Sequence, residues 1–275
     1  MTRTRVSLAG ATGWAGSALA RGLAAAPDLE LVSAVSRTFA GRSLADAFSG
    51  NAANDGLVAF DTPVYGTVEE ALSARPADVL VEYTQPDVAK SNVLTALKHG
   101  AHVVVGTSGL TDEDYQEIDE AARAAGKGVL AAGNFAITVV LLMKFAEAAA
   151  KLVPHWEIID YASDKKADAP SGTVRELASR LGQVAQAQQA VSQQDTLGEK
   201  ATRGANMGGA QVHAVRLPGF TIGAEVIFGL PDQRLSIRTE SGSSAEPYVD
   251  GALIAIRKVA EFSGLRRGLD SVLDL

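Results

Sequence analysis

The chain contains no cysteine among its 275 residues, which excludes disulfide bonds and thiolate metal ligands. Its four histidines are scattered along the sequence at His99, His102, His155 and His213. Their spacing does not match that of a histidine metal site, so no metal is expected. The net charge of −7 comes without any run of basic residues, and aromatic residues make up only 5%. Nucleic-acid binding is therefore disfavoured.

The sequence also lacks a long apolar segment. The longest candidate, 136–142, is soon followed by Lys144 and is far shorter than the roughly 20 residues of a membrane-spanning helix. We therefore expect no membrane association and a cytoplasmic protein. With 47% apolar and 21% charged residues, the chain has the composition of a globular protein with one or two cores.

Short Val- and Leu-rich segments alternate with amphipathic segments over the first 133 residues. The predicted strands are 6–9, 31–35, 79–83, 103–105 and 129–131, and the predicted helices are 15–26, 88–99 and 112–125. This alternation indicates an α/β fold with a Rossmann-type, doubly wound parallel sheet. The segment 40–62, rich in Gly, Ala, Asn and Asp, gives no clear prediction.

The pattern changes from Asn134 onward. The sequence predicts helices at 137–152, 174–183 and 249–261, a strand at 156–160, and antiparallel strands at 212–216, 224–230 and 235–240. The Gln-, Ala- and Gly-rich segment 183–209 predicts a long mobile loop, either functional or a plain surface excursion. We predict a dinucleotide-binding domain of residues 1–133 and 241–275, and a smaller α+β domain of residues 134–240 with an open mixed sheet.

The first predicted strand ends in a G-x-x-G-x-x-G pattern at residues 10–16. Glycines allow a tight turn and let the backbone approach a pyrophosphate, which then lies at the start of the following helix. Because the pattern stands between a strand and a helix, it predicts a dinucleotide-binding turn rather than a merely structural one. The predicted contacts are Gly10, Thr12, Gly13, Trp14, Ala15 and Gly16.

The end of the second strand bears on the choice of cofactor. An NAD site usually has an Asp or Glu there that binds the ribose hydroxyls, whereas this chain has Ser36 and Arg37. A hydroxyl and a guanidinium suit a 2′-phosphate, so NADPH is the predicted cofactor, with NADH also possible. The alternative is that Arg37 is an ordinary exposed charge.

Two further loops follow predicted strands. Tyr83 and Thr84 end one strand, and Gly106, Thr107 and Ser108 end the next. Ligands of parallel sheets bind at the carboxyl ends of the strands, where small residues and hydroxyls can flank a nicotinamide and its ribose. Each loop alone is more typical of a plain connection, but together with the glycine turn they favour a cofactor site.

Residues 160–173 combine two cations, Lys165 and Lys166, with a Ser171-Gly172-Thr173 turn that opens a predicted helix. The start of a helix presents unpaired backbone N–H groups and the positive end of the helix dipole. The segment therefore predicts a site for a small anion, such as a carboxylate or a phosphate.

These motifs, taken in order, resemble the dihydrodipicolinate reductases of bacterial lysine biosynthesis. The matching segments are 10–16, Tyr-Thr-Gln-Pro at 83–86, Gly-Thr-Ser-Gly at 106–109, Gly-Asn-Phe at 133–135, Lys-Ala-Asp-Ala-Pro-Ser-Gly-Thr at 166–173 and Val-His-Ala-Val-Arg at 212–216. The Asp-Ala-Pro-Ser-Gly-Thr string is the most specific of them, and the similarity covers nearly the whole chain.

The resemblance implies hydride transfer from NAD(P)H to a C=N or conjugated double bond of an anionic cyclic substrate. It also implies a homotetramer assembled through the sheet of the smaller domain. By position, Lys166 matches the catalytic lysine of the family, and Ser171, Gly172 and Thr173 match its substrate-carboxylate turn. Gly133, Asn134 and Phe135 would line the cofactor together with Gly106 and Thr107.

Two departures from the family pattern are visible. Ala162 and Ser163 stand where the family has a His-His pair, the first of which is its proposed proton donor. Further on, Thr239-Glu240 and Ala245 stand where the family has a Thr-His pair and a substrate-binding Arg. The proton donor could then be Lys166, Tyr161 or water. Lys165, Tyr161 and Asp164 are either new polar groups of the site or exposed loop residues.

Three hypotheses follow. The first is a reductase close to 4-hydroxy-tetrahydrodipicolinate reductase in its substrate, because Lys166 and the Ser-Gly-Thr turn are retained. The second is a related NAD(P)-dependent reductase or dehydrogenase of another imino or amino acid, because the His and Arg positions are replaced. The third is an NADP-binding sensor without turnover, since a fold alone does not establish a function.

Overall fold

The computed structural model describes residues 2–49 and 61–273 of the chain. The chain divides into two compact units, here called unit 1 (Met1–Ile137 with Ala245–Asp274) and unit 2 (Thr138–Ser244). The sequence predicted domain boundaries after residues 133 and 240. In the structure the chain passes from one unit to the other after residues 137 and 244. Residues 50–60 of the unassigned segment 40–62 lie outside the described residues. No helix of the described residues is long and apolar enough to span a membrane.

Unit 1 is built on a seven-stranded sheet in which every pairing is parallel. Its strands are β1 (Thr4–Ala9), β2 (Leu29–Val35), β3 (Val64–Tyr65), β4 (Val79–Glu82), β5 (His102–Val105), β6 (Gly128–Ala131) and β12 (Gly264–Arg267), in the order β12-β6-β5-β4-β1-β2-β3. Its helices are α1 (Trp14–Ala25), α2 (Leu44–Phe48), α3 (Val68–Ala74), α4 (Pro86–Lys98), α5 (Asp112–Ala125) and α8 (Val249–Lys258). The predicted Rossmann-type fold is confirmed.

Local sequence explains the strongest elements of unit 1. Strands β4 and β6 are buried at every position, as expected for central strands of a parallel sheet whose two faces are both covered. Helix α5 begins with a capping box between Thr111 and Asp114 and ends at Gly126, whose φ of 64° is the left-handed conformation that glycine adopts easily.

Four elements of unit 1 were not predicted from the sequence: α2, β3, α3 and β12. Strand β3 has two residues, too few for any alternation to be visible. Strand β12 reads Gly-Leu-Arg-Arg and lies at the edge of the sheet, where polar residues are tolerated, so it carries no apolar pattern.

Unit 2 has a five-stranded mixed sheet. Its strands are β7 (His155–Ala162), β8 (Ala205–Met207), β9 (Ala210–Arg216), β10 (Ile222–Leu230) and β11 (Gln233–Ser241), in the order β11-β10-β7-β9-β8, and its helices are α6 (Ile137–Ala150) and α7 (Gly172–Val184). The predicted mixed sheet is confirmed, and the last three strands alternate in direction as predicted. Strand β9 does not pair with β10, however: it lies between β7, to which it is parallel, and β8, to which it is antiparallel.

The predicted loop 183–209 is shorter in the structure. Helix α7 continues to Val184, and the segment also contains a 3₁₀ turn (Lys200–Arg203) and strand β8. Polar contacts hold the rest: the backbone N–H of Gln188 donates to Pro154 O at 2.7 Å, and Gln193 Nε2 donates to Gly204 O at 2.6 Å. Amide side chains and backbone groups therefore anchor a segment in which the sequence shows no apolar anchors.

Candidate active site

The glycine turn of unit 1 joins β1 to α1 through close backbone contacts. Gly10 has a φ of 81°, and a Cβ atom at this position would lie 2.2 Å from Tyr83 O. A Cβ atom on Gly16 would lie 2.0 Å from Gly10 O. Both distances are far below any real contact, so the turn requires glycine at 10 and 16.

The start of α1 is open to an anion. Its N-cap residue, Gly13, offers no side-chain hydrogen bond, and the first turn contains no acidic residue. The N–H groups of Trp14 and Ala15 therefore face the end of the turn without a capping side chain. Thr12 Oγ1 lies 2.8 Å from Ser36 Oγ, which ties the glycine turn to the residue that follows β2.

Ser36 and Arg37 differ in how firmly they are held. The N–H of Ser36 donates to Tyr65 O at 2.9 Å, which fixes this residue beside β3. Arg37 is exposed, and within residues 2–49 and 61–273 no carboxylate forms an ion pair with it. A guanidinium without a carboxylate partner at the end of β2 suits an added phosphate group.

Tyr83, Gly106 and Phe135 follow β4, β5 and β6 in the chain, and the Tyr83 ring lies near the other two residues. A Cβ atom on Gly106 would lie 2.1 Å from Tyr83 Cζ, so the tyrosine ring lies directly against this glycine. The rings of Tyr83 and Phe135 are 6.0 Å apart. Burial raises the pKa of Tyr83 far above its usual range, so the phenol stays protonated.

Glu82 is a buried carboxylate that the sequence reasoning missed. Its Oε1 accepts hydrogen bonds from the N–H of Thr84 at 3.1 Å, from the Thr84 hydroxyl, and from Asn92 Nδ2 at 3.3 Å. The Glu82 Oε2, Tyr83 hydroxyl and Thr107 Oγ1 atoms are buried, and none has a hydrogen-bond partner among the described residues. An acidic residue that ends an otherwise apolar central strand is the signal that could have revealed Glu82.

The predicted cofactor residues of unit 1 come together at one edge of its sheet. Strand β1 pairs with β2 on one side and with β4 on the other, so the order in which strands are added to the sheet reverses at β1. Ligands of such sheets bind at this switch point. The loops after β6, β5, β4, β1 and β2 follow each other along the same edge. They carry, in that order, Gly133-Asn134-Phe135, Gly106-Thr107-Ser108, Tyr83-Thr84, the glycine turn and Ser36-Arg37.

The Ser-Gly-Thr turn of unit 2 is held by a buried carboxylate. Asp160 of β7 is fully buried and accepts the Ser171 N–H at 2.8 Å and the Ser171 hydroxyl at 2.7 Å. Ser171 is also the N-cap of α7, accepting the Val174 N–H at 3.3 Å. Both polar groups of Ser171 are therefore engaged within the protein. The N–H groups of Gly172 and Thr173, at the first two positions of α7, have no intrahelical partner.

Arg216 neutralises Asp160 and reaches the lysine segment. Its Nη2 donates to Asp160 Oδ2 at 2.7 Å and to Asp168 O at 2.8 Å. A buried carboxylate without a cation would be unfavourable, so this pair keeps the turn in place. Neither Asp160 nor the Arg216 side chain was assigned a role from the sequence, because the two residues are 56 positions apart.

Lys166 has a side chain that is 32% exposed, and its Nζ is 2.7 Å from Asp168 Oδ1; the other oxygen of this carboxylate is 3.9 Å from Arg175 Nη1 of α7. The hydrogen bond from Lys166 lowers the pKa of Asp168 below its usual range. In contrast, Lys165 and Asp164 are exposed. The structure thus links Lys166 to α7 through Asp168 and Arg175, whereas Lys165 is exposed.

The replaced family positions are apolar or already paired. Ala162 and Ala245 are buried, at 0% and 3% exposure. Their methyl side chains can supply neither a proton nor a charge. Glu240 is hydrogen-bonded by Arg238, which offsets its negative charge. Tyr161 donates its hydroxyl to Glu225 at 2.9 Å, and its pKa is raised by partial burial and by this carboxylate.

Comparison with known proteins assigns the chain to a family. The model of the N-terminal part of dihydrodipicolinate reductase matches residues 4–135, and that of the C-terminal part matches residues 138–273. A 4-hydroxy-tetrahydrodipicolinate reductase of Halalkalibacterium halodurans is 37% identical over 98% of this chain and 99% of the relative. A protein of the same name from Listeria monocytogenes is 35% identical over 98% of this chain and 100% of the relative.

Solved structures give the same picture. The dipicolinate-bound dihydrodipicolinate reductase from Paenisporosarcina sp. TG-14 superposes with a TM-score of 0.87 at 29% identity, covering 99% of this chain and 100% of that one. An amine dehydrogenase from Mycobacterium smegmatis, at 14% identity and a TM-score of 0.66, shares the fold. The family predicted from the motifs is confirmed. The chain belongs to the dihydrodipicolinate reductase family, a family of NAD(P)H-dependent oxidoreductases.

Proposed function

We propose that the protein is an NADPH-dependent reductase that acts on a C=N or conjugated double bond of a small cyclic dicarboxylate, of the tetrahydrodipicolinate class used in lysine and diaminopimelate biosynthesis. Two relatives are named 4-hydroxy-tetrahydrodipicolinate reductases, and a structural relative binds dipicolinate. The single observation that carries the proposal is the Ser-Gly-Thr helix start, held by Asp160 and Arg216, with Lys166 linked to the same helix through Asp168 and Arg175. Such an arrangement suits a carboxylate.

The cofactor would be held by unit 1, whose glycine cradle fits a dinucleotide because side chains at 10 and 16 would fill it. The N–H groups of Trp14 and Ala15 would bind the pyrophosphate, and Ser36 and Arg37 would bind the 2′-phosphate of NADPH. The nicotinamide end would contact Tyr83, Thr84, Gly106, Thr107, Ser108, Gly133, Asn134 and Phe135. When bound, the nicotinamide supplies the hydride. NADH would bind more weakly, since it lacks the phosphate that Arg37 suits.

Unit 2 would hold the substrate. The N–H groups of Gly172 and Thr173 would bind a carboxylate, and Ser171 would act as a positioning residue because Asp160 already engages its polar groups. Lys166 would act as the general acid, since its ammonium group is linked through Asp168 to Arg175 of α7 and can donate a proton to the atom left negative after reduction.

Other proton donors are less favoured by the geometry. Ala162 has no proton to donate, and the Tyr161 hydroxyl is committed to Glu225. Lys166, directly or through a water molecule that it orients, remains the candidate acid, linked through Asp168 to Arg175 of α7. Asp168, which pairs with Lys166, would release it when a substrate carboxylate competes for the ammonium group.

A second candidate is a related reductase or dehydrogenase of a different imino or amino acid. The specific observation in its favour is the burial of Ala162 and Ala245, two apolar residues at positions where the family resemblance implies an acid and a cation. A substrate with fewer charges or a different ring would tolerate both changes. An NADP-binding protein without turnover is the remaining alternative.

We also propose a homotetramer that assembles through the sheet of unit 2, and a cytoplasmic location. Tyr161, Glu225 and Arg238 on that sheet form a linked cluster, with the Arg238 guanidinium 4.4 Å from the Tyr161 ring. Leu235 of the edge strand β11 is 48% exposed, which suits a surface that becomes covered on assembly. Light scattering of the purified protein would measure the oligomeric state.

The test of the proposed function is NADPH oxidation with the freshly made condensation product of pyruvate and aspartate semialdehyde. We expect turnover by the wild type and a loss of roughly 10²–10⁴-fold in kcat for Lys166→Ala. Absence of turnover, with NADPH binding intact by calorimetry, would reject this substrate class. Turnover of another cyclic imino acid in the same assay would then support the second candidate.

A further inference from the structure

Arg175, one turn into α7, folds back over the start of its own helix. Its backbone N–H donates to Ser171 O at 2.9 Å, and its Nη1 donates to Pro170 O at 2.5 Å. A Cβ atom added to Gly172 would lie 3.7 Å from Arg175 Nη2. Because side chains of a helix point toward its N-terminus, a residue at this position covers the first turn. The guanidinium therefore lies near Pro170 and Gly172, at the start of its own helix.

The charges at this turn are not balanced. The start of a helix is the positive end of its dipole, where a cation is unfavourable unless an anion is near. The Lys166 ammonium and the Arg175 guanidinium share one exposed carboxylate, Asp168, at distances of 2.7 and 3.9 Å. Asp160, a second carboxylate of this region, is buried and paired with Arg216, and the exposed Asp164 is next to Lys165 in the sequence. The turn therefore carries an excess positive charge that faces solvent.

We propose that Arg175 is a substrate-binding residue that determines specificity for a carboxylate at the Ser-Gly-Thr turn. It supplies a guanidinium to a chain in which Ala245 stands at the family position of the substrate-binding Arg. Asp168 acts as an internal placeholder that occupies Lys166 and Arg175 until a substrate carboxylate replaces it. The inference rests on the proposed function, and it adds the residue that holds the carboxylate and the internal group that competes with it.

The experiment measures binding of dipicolinate by calorimetry, together with kcat and KM for the substrate and the Kd of NADPH. We expect Arg175→Ala and Arg175→Gln to weaken dipicolinate binding and raise KM by roughly 10–100-fold, the range of one charge-assisted hydrogen bond. The kcat and the NADPH affinity should change less than about twofold, because the proposed role of Arg175 is to hold a substrate carboxylate rather than the cofactor or the reacting bond. Arg175→Lys should recover part of the affinity.

Two comparisons sharpen the test. Lys151→Ala removes an exposed positive charge after α6 and should leave dipicolinate binding unchanged, which separates a local contact from a general effect of net charge. Asp168→Asn keeps the shape of the placeholder but removes its charge, so it should bind dipicolinate several-fold more tightly than the wild type. Weaker binding by Asp168→Asn would contradict the placeholder role.

The outcomes distinguish this inference from the proposed function. Dipicolinate binding that depends on Arg175, without turnover of the tetrahydrodipicolinate-class substrate, supports the inference and rejects the proposed substrate. Normal turnover with unchanged KM and dipicolinate affinity in Arg175→Ala overturns the inference and leaves the proposed function standing. If the wild type shows neither dipicolinate binding nor turnover, both the inference and the proposed function are overturned.

Discussion

Two helix starts, one in each unit, are the proposed anion sites, and they are built by different means. The start of α1 in unit 1 has Gly13 as its N-cap, no capping side chain, and glycines at 10 and 16 that let backbone segments touch. The start of α7 in unit 2 is capped by the Ser171 side chain, which a buried ion pair holds in place. Shape defines the first site, whereas charge defines the second.

The two helix starts differ in the space that is available for a methyl group added to one of their glycines. At Gly16 it would lie 2.0 Å from a carbonyl oxygen, while at Gly172 its nearest neighbour would be the flexible Arg175 side chain at 3.7 Å. A pyrophosphate needs a close backbone cradle, which only glycine permits. A carboxylate at the other site would be held by cations and oriented N–H groups, and these contacts do not require such close packing of the backbone.

The largest effect should come from breaking the buried ion pair of unit 2. Arg216→Met leaves the fully buried Asp160 without a cation, so we expect the free energy of unfolding to fall by roughly 3–5 kcal/mol. Chemical denaturation would measure this loss. Asp160→Asn combined with Arg216→Met should be less destabilising than Arg216→Met alone, and strictly additive effects would contradict the coupling.

The next effect should come from the glycine cradle of unit 1. Gly16→Ala forces its methyl group against Gly10 O, so we expect NADPH affinity to fall at least tenfold, with a stability loss of about 1–3 kcal/mol. Calorimetry and thermal unfolding would measure both. Gly172→Ala is the matched control, and it should leave the NADPH affinity unchanged. Equal losses in the two variants would show that the helix starts do not differ in this way.

A smaller effect is expected at the end of β2. Arg37→Ala should reduce the preference for NADPH over NADH by roughly 10–100-fold, because only NADPH carries the phosphate that the guanidinium suits. The ratio of kcat/KM values for the two cofactors would measure it. Arg42→Ala, which removes another exposed arginine of the same region, should leave this ratio unchanged. A parallel loss for both cofactors would indicate a general electrostatic role.

The smallest effect concerns an exposed ion pair of unit 1. Arg257 Nε and Nη2 donate to the Asp28 carboxylate at 2.7 and 2.9 Å, which lowers the pKa of Asp28 from 3.8 to about 2. Because the pKa is lower in the folded protein, the pair stabilises it above about pH 4 and loses this contribution as the pH falls toward 2.

Asp28→Asn should therefore lower the Tm slightly at pH 7, and the difference from wild type should shrink between pH 5 and pH 3. Thermal unfolding over this range would measure it. A difference that does not depend on pH would contradict the assignment, since it would show that the carboxylate charge is not the stabilising element.

The sequence predicted what is local and missed what is long-range. The glycine turn is visible because its constraints act within residues 10–16, and the helix start at Ser171 is visible because capping acts over three residues. The Asp160–Arg216 pair joins residues 56 positions apart, and only the parallel pairing of β7 with β9 brings them together. Arg175 was missed because its direction, rather than its spacing, places it at the turn.

Sequence patterns also did not reveal the role of one residue at the end of a strand or the pairing partner of another strand. Glu82 follows three apolar residues of β4 and was predicted only as part of the strand 79–83, although its carboxylate accepts hydrogen bonds from Thr84 and Asn92. The pairing of β9 with β7 was not predicted, because alternation of side chains reports which face is buried and carries no information on which strand lies alongside.

The position of β12 has a consequence for how the chain is made. This strand pairs with β6, and α8 packs against α1 so closely that a Cβ atom on Gly22 would lie 2.2 Å from a Val249 methyl carbon. On the ribosome, residues 4–135 emerge long before either element exists. Until then β6 presents an open edge, the kind of surface at which nascent chains aggregate. Completion of the unit synthesised first therefore waits for the segment synthesised last.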